Sequence, residues 1–210
     1  MIRRLALSVI LLAAIATLDL SVSAQTGAIT LRAPLLIDGR GNSQPDRLVT
    51  VTGSKITAVG AVSGTPTYDL TGLTLLPGFI DTHVHIGWHF DANNRFQSGP
   101  EPPEQAVLYA AENAWVTMMA GFTTIQSVGS PADKALRDAI NRGALPGPRL
   151  LSSLGQIANP KITPAEGRAL VRKFKADGAD LVKIFASASI RDGGTPTLSQ
   201  EQLDALCGEA

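Results

Sequence analysis

The alternation of hydrophobic and polar positions changes character once along the chain, at Pro77. Before it, residues 28–37 and 48–59 read as strands rich in Leu, Ile, Val and Thr, the second broken by the turn-like Thr52-Gly53-Ser54-Lys55. Asp38-Gly39-Arg40-Gly41 supplies a sharp turn between them, and a third strand is predicted over 67–76. These strands, placed in a mature chain starting at residue 25, form part of a small β-sandwich-like domain over 25–76. A unit of about 50 residues with so few strands normally needs something to pack on.

After Pro77 the period switches back and forth between strand and helix. Strands are predicted over 78–86, 122–128, 149–157 and 181–187, followed by helices over 103–120, 132–142, 164–176 and 200–210. Thr163-Pro164-Ala165-Glu166 and Ser199-Gln200-Glu201-Gln202 have the hydroxyl, then carboxylate or amide, of a helix start. Four βα units of about 33 residues each make an α/β fold, the first half of a TIM-like (β/α)8 barrel that would need about 270 residues for all eight. The fourth helical pattern is still running at Ala210, so residues 77–210 are expected to be a truncated barrel. A half barrel leaves parallel edges unpaired, which natural folds avoid. The alternative is a small open four-stranded α/β domain.

Composition narrows the partners. With 18 basic and 18 acidic residues, the chain has no basic field to hold nucleic acid by counterion release. The single cysteine, Cys207, cannot form an internal disulfide or a Cys-rich zinc module, and reads as helix packing beside Leu203 and Leu206. Residues 1–24 have the layout of a signal peptide: Arg3 and Arg4, an apolar run from Leu5 to Leu18, and the ending Val22-Ser23-Ala24. The run is shorter than the roughly 20 residues that cross a bilayer, so a periplasmic or secreted protein without a stable membrane anchor is expected.

The candidate chemistry lies on the first strand after Pro77. In Leu75-Leu-Pro-Gly-Phe-Ile-Asp-Thr-His-Val-His-Ile86, alternation places Asp81, His83 and His85 on one face, and Ile80, Thr82, Val84 and Ile86 on the other. Two imidazoles at i and i+2 lie roughly 7 Å apart at Cα and can reach one metal ion. An isolated His-x-His is weak evidence; its place at the C-terminal end of a sorted strand, where barrels carry their chemistry, strengthens it. On the fourth strand Leu181, Lys183, Phe185 and Ser187 share a face. An interior lysine there is costly unless it is neutralised or paired. His89 could line a pocket but reads more simply as a surface-loop residue.

These residues resemble a known family. The Ile37-Asp38-Gly39 turn, Leu76-Pro-Gly-Phe-Ile-Asp-Thr-His-Val-His85 and Val182-Lys183-Ile184 look like the amidohydrolase superfamily of metal-dependent hydrolases. Gly121-Phe-Thr-Thr-Ile125, Gly147-Pro-Arg149 and Gly178-Ala-Asp-Leu-Val-Lys-Ile184 look most like its imidazolonepropionase-like branch, which includes Xaa-Pro dipeptidases and N-acyl amino acid hydrolases.

The resemblance implies hydrolysis of an amide or peptide-like C–N bond by metal-activated hydroxide. It implies two divalent ions, zinc by expectation, and a small amide or dipeptide as substrate, and it leaves the oligomeric state open. His83 and His85 would be metal ligands, Lys183 a carbamate bridging both ions, and Asp81 a supporting group. Carbamate formation needs a neutral amine, which burial favours, and yields an anionic ligand. Gln126 and Ser127 stand where relatives often carry Arg-Asp, which puts the role of those groups in doubt. Two further histidine ligands and a proton-shuttling aspartate would follow later strands, beyond Ala210. No catalytic proton shuttle is therefore expected in these 210 residues, and the chain alone is expected to be inactive. The alternatives are a cyclic-amide hydrolase of the hydantoinase or dihydroorotase kind, and a non-catalytic exported metal-binding module.

Overall fold

The computed structural model describes residues 27–91, 93–97 and 101–210; the expected signal peptide lies outside them. The chain divides into two compact units, the first ending at Pro77 and the second starting at Gly78.

In the first unit, β1 (Ile29–Ile37), β2 (Ser43–Thr52) and β3 (Lys55–Ala61) form an antiparallel meander. β4 (Tyr68–Asp69) and β5 (Thr74–Leu75) pair parallel with β1, giving a five-stranded sheet. The single strand expected over 67–76 is thus two short pieces. A turn separates them, closed by Leu73 N–H donating to the Leu70 carbonyl at 2.9 Å, with Gly72 at φ 83°. β2 also starts earlier than expected, because backbone pairing with β1 recruits the polar Ser43–Arg47 stretch that periodicity alone would reject. The tight turn after β1 is closed by Asp38, whose carboxylate accepts the amides of Arg40 at 2.8 Å and Asn42 at 3.2 Å. Ala33, Leu36 and Val49 form the buried centre of this unit.

The second unit runs β6 (Phe79–Val84), β7 (His89–Phe90), β8 (Phe96–Gln97), α1 (Pro103–Met119), β9 (Phe122–Ser127), α2 (Asp133–Asn141), β10 (Arg149–Ser152), α3 (Pro164–Asp177) and α4 (Gln200–Glu209), with a 3₁₀ turn at Ile190–Asp192. β6, β9 and β10 form a parallel sheet in the order β10-β9-β6, and the sheet is not closed. Ile86, Ala114, Ile125, Leu136 and Leu150 bury together where the strands meet α1 and α2. A second cluster, Ile157, Ile162, Val171, Leu198 and Leu206, holds α3 and α4.

Both expected helix starts are full capping boxes. Thr163 Oγ1 accepts from Glu166 N–H while the Glu166 carboxylate accepts from Thr163 N–H at 2.8 Å, and Ser199 and Gln202 exchange the equivalent pair. Three expectations need correction. The third strand stops at Ser152 instead of 157, since Ser153-Leu154-Gly155 turns with Leu154 at φ 52°. The fourth strand, expected over 181–187, is no strand: Ile184 forms a single parallel bridge with Ile157. With so little of a neighbour to pair with, the extended backbone there has nothing to continue the ladder. Cys207 is exposed, because α4 turns Ala205 and Leu206 inward and leaves the cysteine outside.

Candidate metal centre

The expected sorting of β6 holds only past an irregularity, since Ile80 and Thr82 on the expected apolar face are exposed. Its register with β9 slips between Asp81, opposite Ile125, and Val84, opposite Ser127, so three steps on β6 match two on β9. Within the slip, the His83 N–H is taken by Asp81 Oδ1 at 2.9 Å. Such bulges re-aim side chains beside active sites. Here the consequence is specific: Asp81 turns back onto its own strand and secures the backbone at His83. Beyond the slip Val84 and Ile86 pack into the buried cluster, while the His83 and His85 rings lie with centroids 5.5 Å apart.

Lys183 comes to the same place from far along the chain. Ile157 N–H donates to the Lys183 carbonyl and Phe185 N–H to the Ile157 carbonyl, each at 2.9 Å, which fixes the backbone on both sides of Ile184. Val182 and Ile184 pack against the second buried cluster, and the Lys183 side chain reaches 3.3 Å from His83 Nε2. Its ammonium also lies 4.9 Å from the centre of the Phe185 ring. The sequence-predicted residues His83, His85 and Lys183 are therefore brought together although the fourth strand did not form.

Electrostatics favour neutral imidazole at His85. Burial holds its pKa below the ordinary histidine value, and the positive neighbours His83 and Lys183 press it the same way. Neutral imidazole is the form that binds a metal. Among the described residues no group of three or more His, Cys, Asp or Glu side chains converges; two imidazoles and one lysine amine do. This donor set fits a divalent ion through the histidine nitrogens, and the amine fits as the precursor of an anionic ligand.

Two neighbours escaped the sequence reading. The Trp88 indole stacks on the His85 ring, with centroids 3.8 Å apart and planes 11° apart. Asn113, in the middle of α1, donates through Nδ2 to the carbonyls of Ile86 and Trp88, both at 2.8 Å. The available signals were an aromatic residue just past the His-x-His strand and an asparagine, a poor helix former, within an Ala-rich helix. His89 is also not the surface-loop residue expected. It is buried, stacks on Tyr109 at 3.6 Å, and sets Nε2 3.7 Å from the Glu101 carboxylate. The ring anchors the β7–β8 hairpin against α1. Ser127 is buried as well, its Oγ accepting from Ile86 N–H at 3.3 Å. A cavity of about 480 Å³ opens at the ends of β6 and β9, lined by His85, Trp88, Ser127, Asp133 and Gln156 among others.

Residues 74–210 match the model of the amidohydrolase family. The chain belongs to that family. Among solved structures it is similar to a Xaa-Pro dipeptidase with methionine bound in its active site, at 29% identity and a TM-score of 0.75, covering 88% of this chain and 54% of that one. It is similar to a protein described as a prolidase from Bifidobacterium longum at 26% identity and a TM-score of 0.69, covering 88% of this chain and 47% of that one. Ochratoxinase of Aspergillus niger is 27% identical over 129 residues, 58% of this chain and 27% of that protein. The chain thus spans about half the length of the similar solved structures, and matches the N-terminal part of amidohydrolase barrels.

Proposed function

We propose that this amidohydrolase-family chain carries the first half of a metal-dependent site that cleaves an amide or peptide-like C–N bond, in a Xaa-Pro dipeptide or an N-acyl amino acid. The observation that carries the reading is the convergence of Lys183 on His83, beside His85. The family membership and the likeness to a Xaa-Pro dipeptidase and an ochratoxinase support an amide as substrate.

His83 and His85 would hold a divalent ion, zinc in the first instance, and Lys183, as its carbamate, would bridge to a second ion. Bound there, such an ion acts as a Lewis acid towards a carbonyl and lowers the pKa of water. The chain's own residues supply the frame: Asp81 secures the His83 backbone, and the Trp88 indole lies flat against the His85 ring. In this reading none of the described residues serves as the proton shuttle, and the 210 residues alone do not turn over substrate. Residues 1–24 direct export in the same proposal, and residues 25–76 and 77–210 are separate domains.

The test is a side-by-side assay of Xaa-Pro dipeptides, N-acetyl amino acids and hydantoins with the zinc-loaded protein, as these 210 residues and as a chain continued through a second half barrel. Hydrolysis of the first or second substrate class by the longer chain alone supports the proposal. Turnover confined to hydantoins contradicts it.

A further inference from the structure

A histidine that binds metal must keep an in-plane lone pair aimed at the ion, and proteins usually fix the ring by hydrogen-bonding its other nitrogen to a carboxylate or carbonyl. Among the described residues neither nitrogen of His85 has such a partner, whereas its flat face is covered by Trp88 with planes 11° apart. A stacked neighbour restrains the ring's tilt without occupying either nitrogen. The stack leaves both nitrogens of the ring free.

The indole could do this only if its own position were restrained, and three hydrogen bonds fix the backbone that carries it. The backbone N–H of Trp88 donates to the His85 carbonyl at 2.9 Å, so the two residues close one tight turn. Asn113 then spans the carbonyls of Ile86 and Trp88 with a single amide group, each at 2.8 Å. Asn113 sits on α1 beside the fully buried Ala114, so the loop is tied to the core and not to another loop. Trp88 also meets Phe96 edge-on at 5.2 Å, a second aromatic contact that restrains the indole.

We infer that Asn113 and Trp88 are positioning residues for the metal pair: Asn113 locks the loop after β6, and the locked indole sets the His85 ring for coordination. The inference rests on the proposed metal site and adds to it the residues that preorganise one ligand.

The test uses the full chain and zinc alone, with affinity read by equilibrium dialysis. Trp88→Leu removes the stack and keeps an apolar side chain, and it is expected to weaken zinc binding about tenfold, within the range seen when supporting residues of metal ligands are removed. Trp88→Phe restores an aromatic face and is expected to restore most of the affinity. Asn113→Ala is expected to match Trp88→Leu, with unchanged far-ultraviolet circular dichroism. Trp115→Phe leaves Trp88 as the one tryptophan of the two in the chain, and its emission should change on adding zinc and lose that response in Asn113→Ala. Zinc affinity equal to the parent's in both Trp88→Leu and Asn113→Ala overturns the inference while leaving the metal site standing. A parent chain that binds no zinc overturns both.

Discussion

Lys183 Nζ lies 3.3 Å from His83 Nε2, across 100 residues of sequence. A lysine ammonium and an imidazole gain little from each other when both carry protons, and the contact makes chemical sense when the amine is converted to an anion or the imidazole stays neutral. Conversion to a carbamate does the first: the neutral amine bonds to the carbon of carbon dioxide and releases a proton. Lys183→Ala is expected to lower divalent metal occupancy at least tenfold without unfolding the chain, since the side chain is half-buried. Metal analysis after dialysis, run with and without bicarbonate, checks it. Occupancy that is unchanged by the substitution and by bicarbonate removes Lys183 from the site.

Asp133, which lines the same cavity as His85, offers a pH test of buried charge. It is 3% exposed at the start of α2, with Ser152 Oγ donating to its carboxylate at 2.8 Å. Burial raises its pKa above the ordinary 3.8, and the hydroxyls of Ser127 and Ser152 and the charge of Arg137 only partly oppose this. The folded state therefore holds the proton more tightly than the unfolded chain. The group's contribution to stability is complete below the unfolded value and is lost as pH rises through the raised folded one. Asp133→Asn cannot ionise, so its stability relative to the parent should improve as pH rises from about 3.8 towards neutrality. Denaturation midpoints across that window decide it; two parallel curves contradict the assignment.

Gly78 tests the packing that starts the first barrel strand. A Cβ there would collide with the Thr123 side chain, which stands on the adjacent β9. The glycine lets the two chain segments approach closely. Gly78→Ala is expected to cost about 1–3 kcal/mol in urea denaturation, and pairing it with Thr123→Ser should recover part of that loss. A fully stable Gly78→Ala variant contradicts the close approach.

How much of this was legible in the sequence depends on the range of the interactions involved. The capping boxes at Thr163 and Ser199 lie within four residues and were readable, as was the sorting of His83 and His85 away from Val84 and Ile86. The failures are long-range. A strand over 181–187 needed a ladder partner, and the turn at Leu154 left Ile157 to make a single bridge. His89 looked solvated because nothing local showed that Tyr109 would stack on it. Asn113 was silent for the same reason: its bonds reach back 27 and 25 residues. The slip in β6 at His83 was also invisible, since a bulge shows itself only against the neighbouring strand.

The proposed site has His83, His85 and Lys183 holding a divalent metal ion. The most direct measurement is the zinc content of the full chain after dialysis at neutral pH with bicarbonate present, compared with the His83→Ala/His85→Ala double variant. Zinc is expected to stay with the parent and to be lost from the double variant, with the circular dichroism of both unchanged. Equal zinc in the two, or none in the parent, would contradict it.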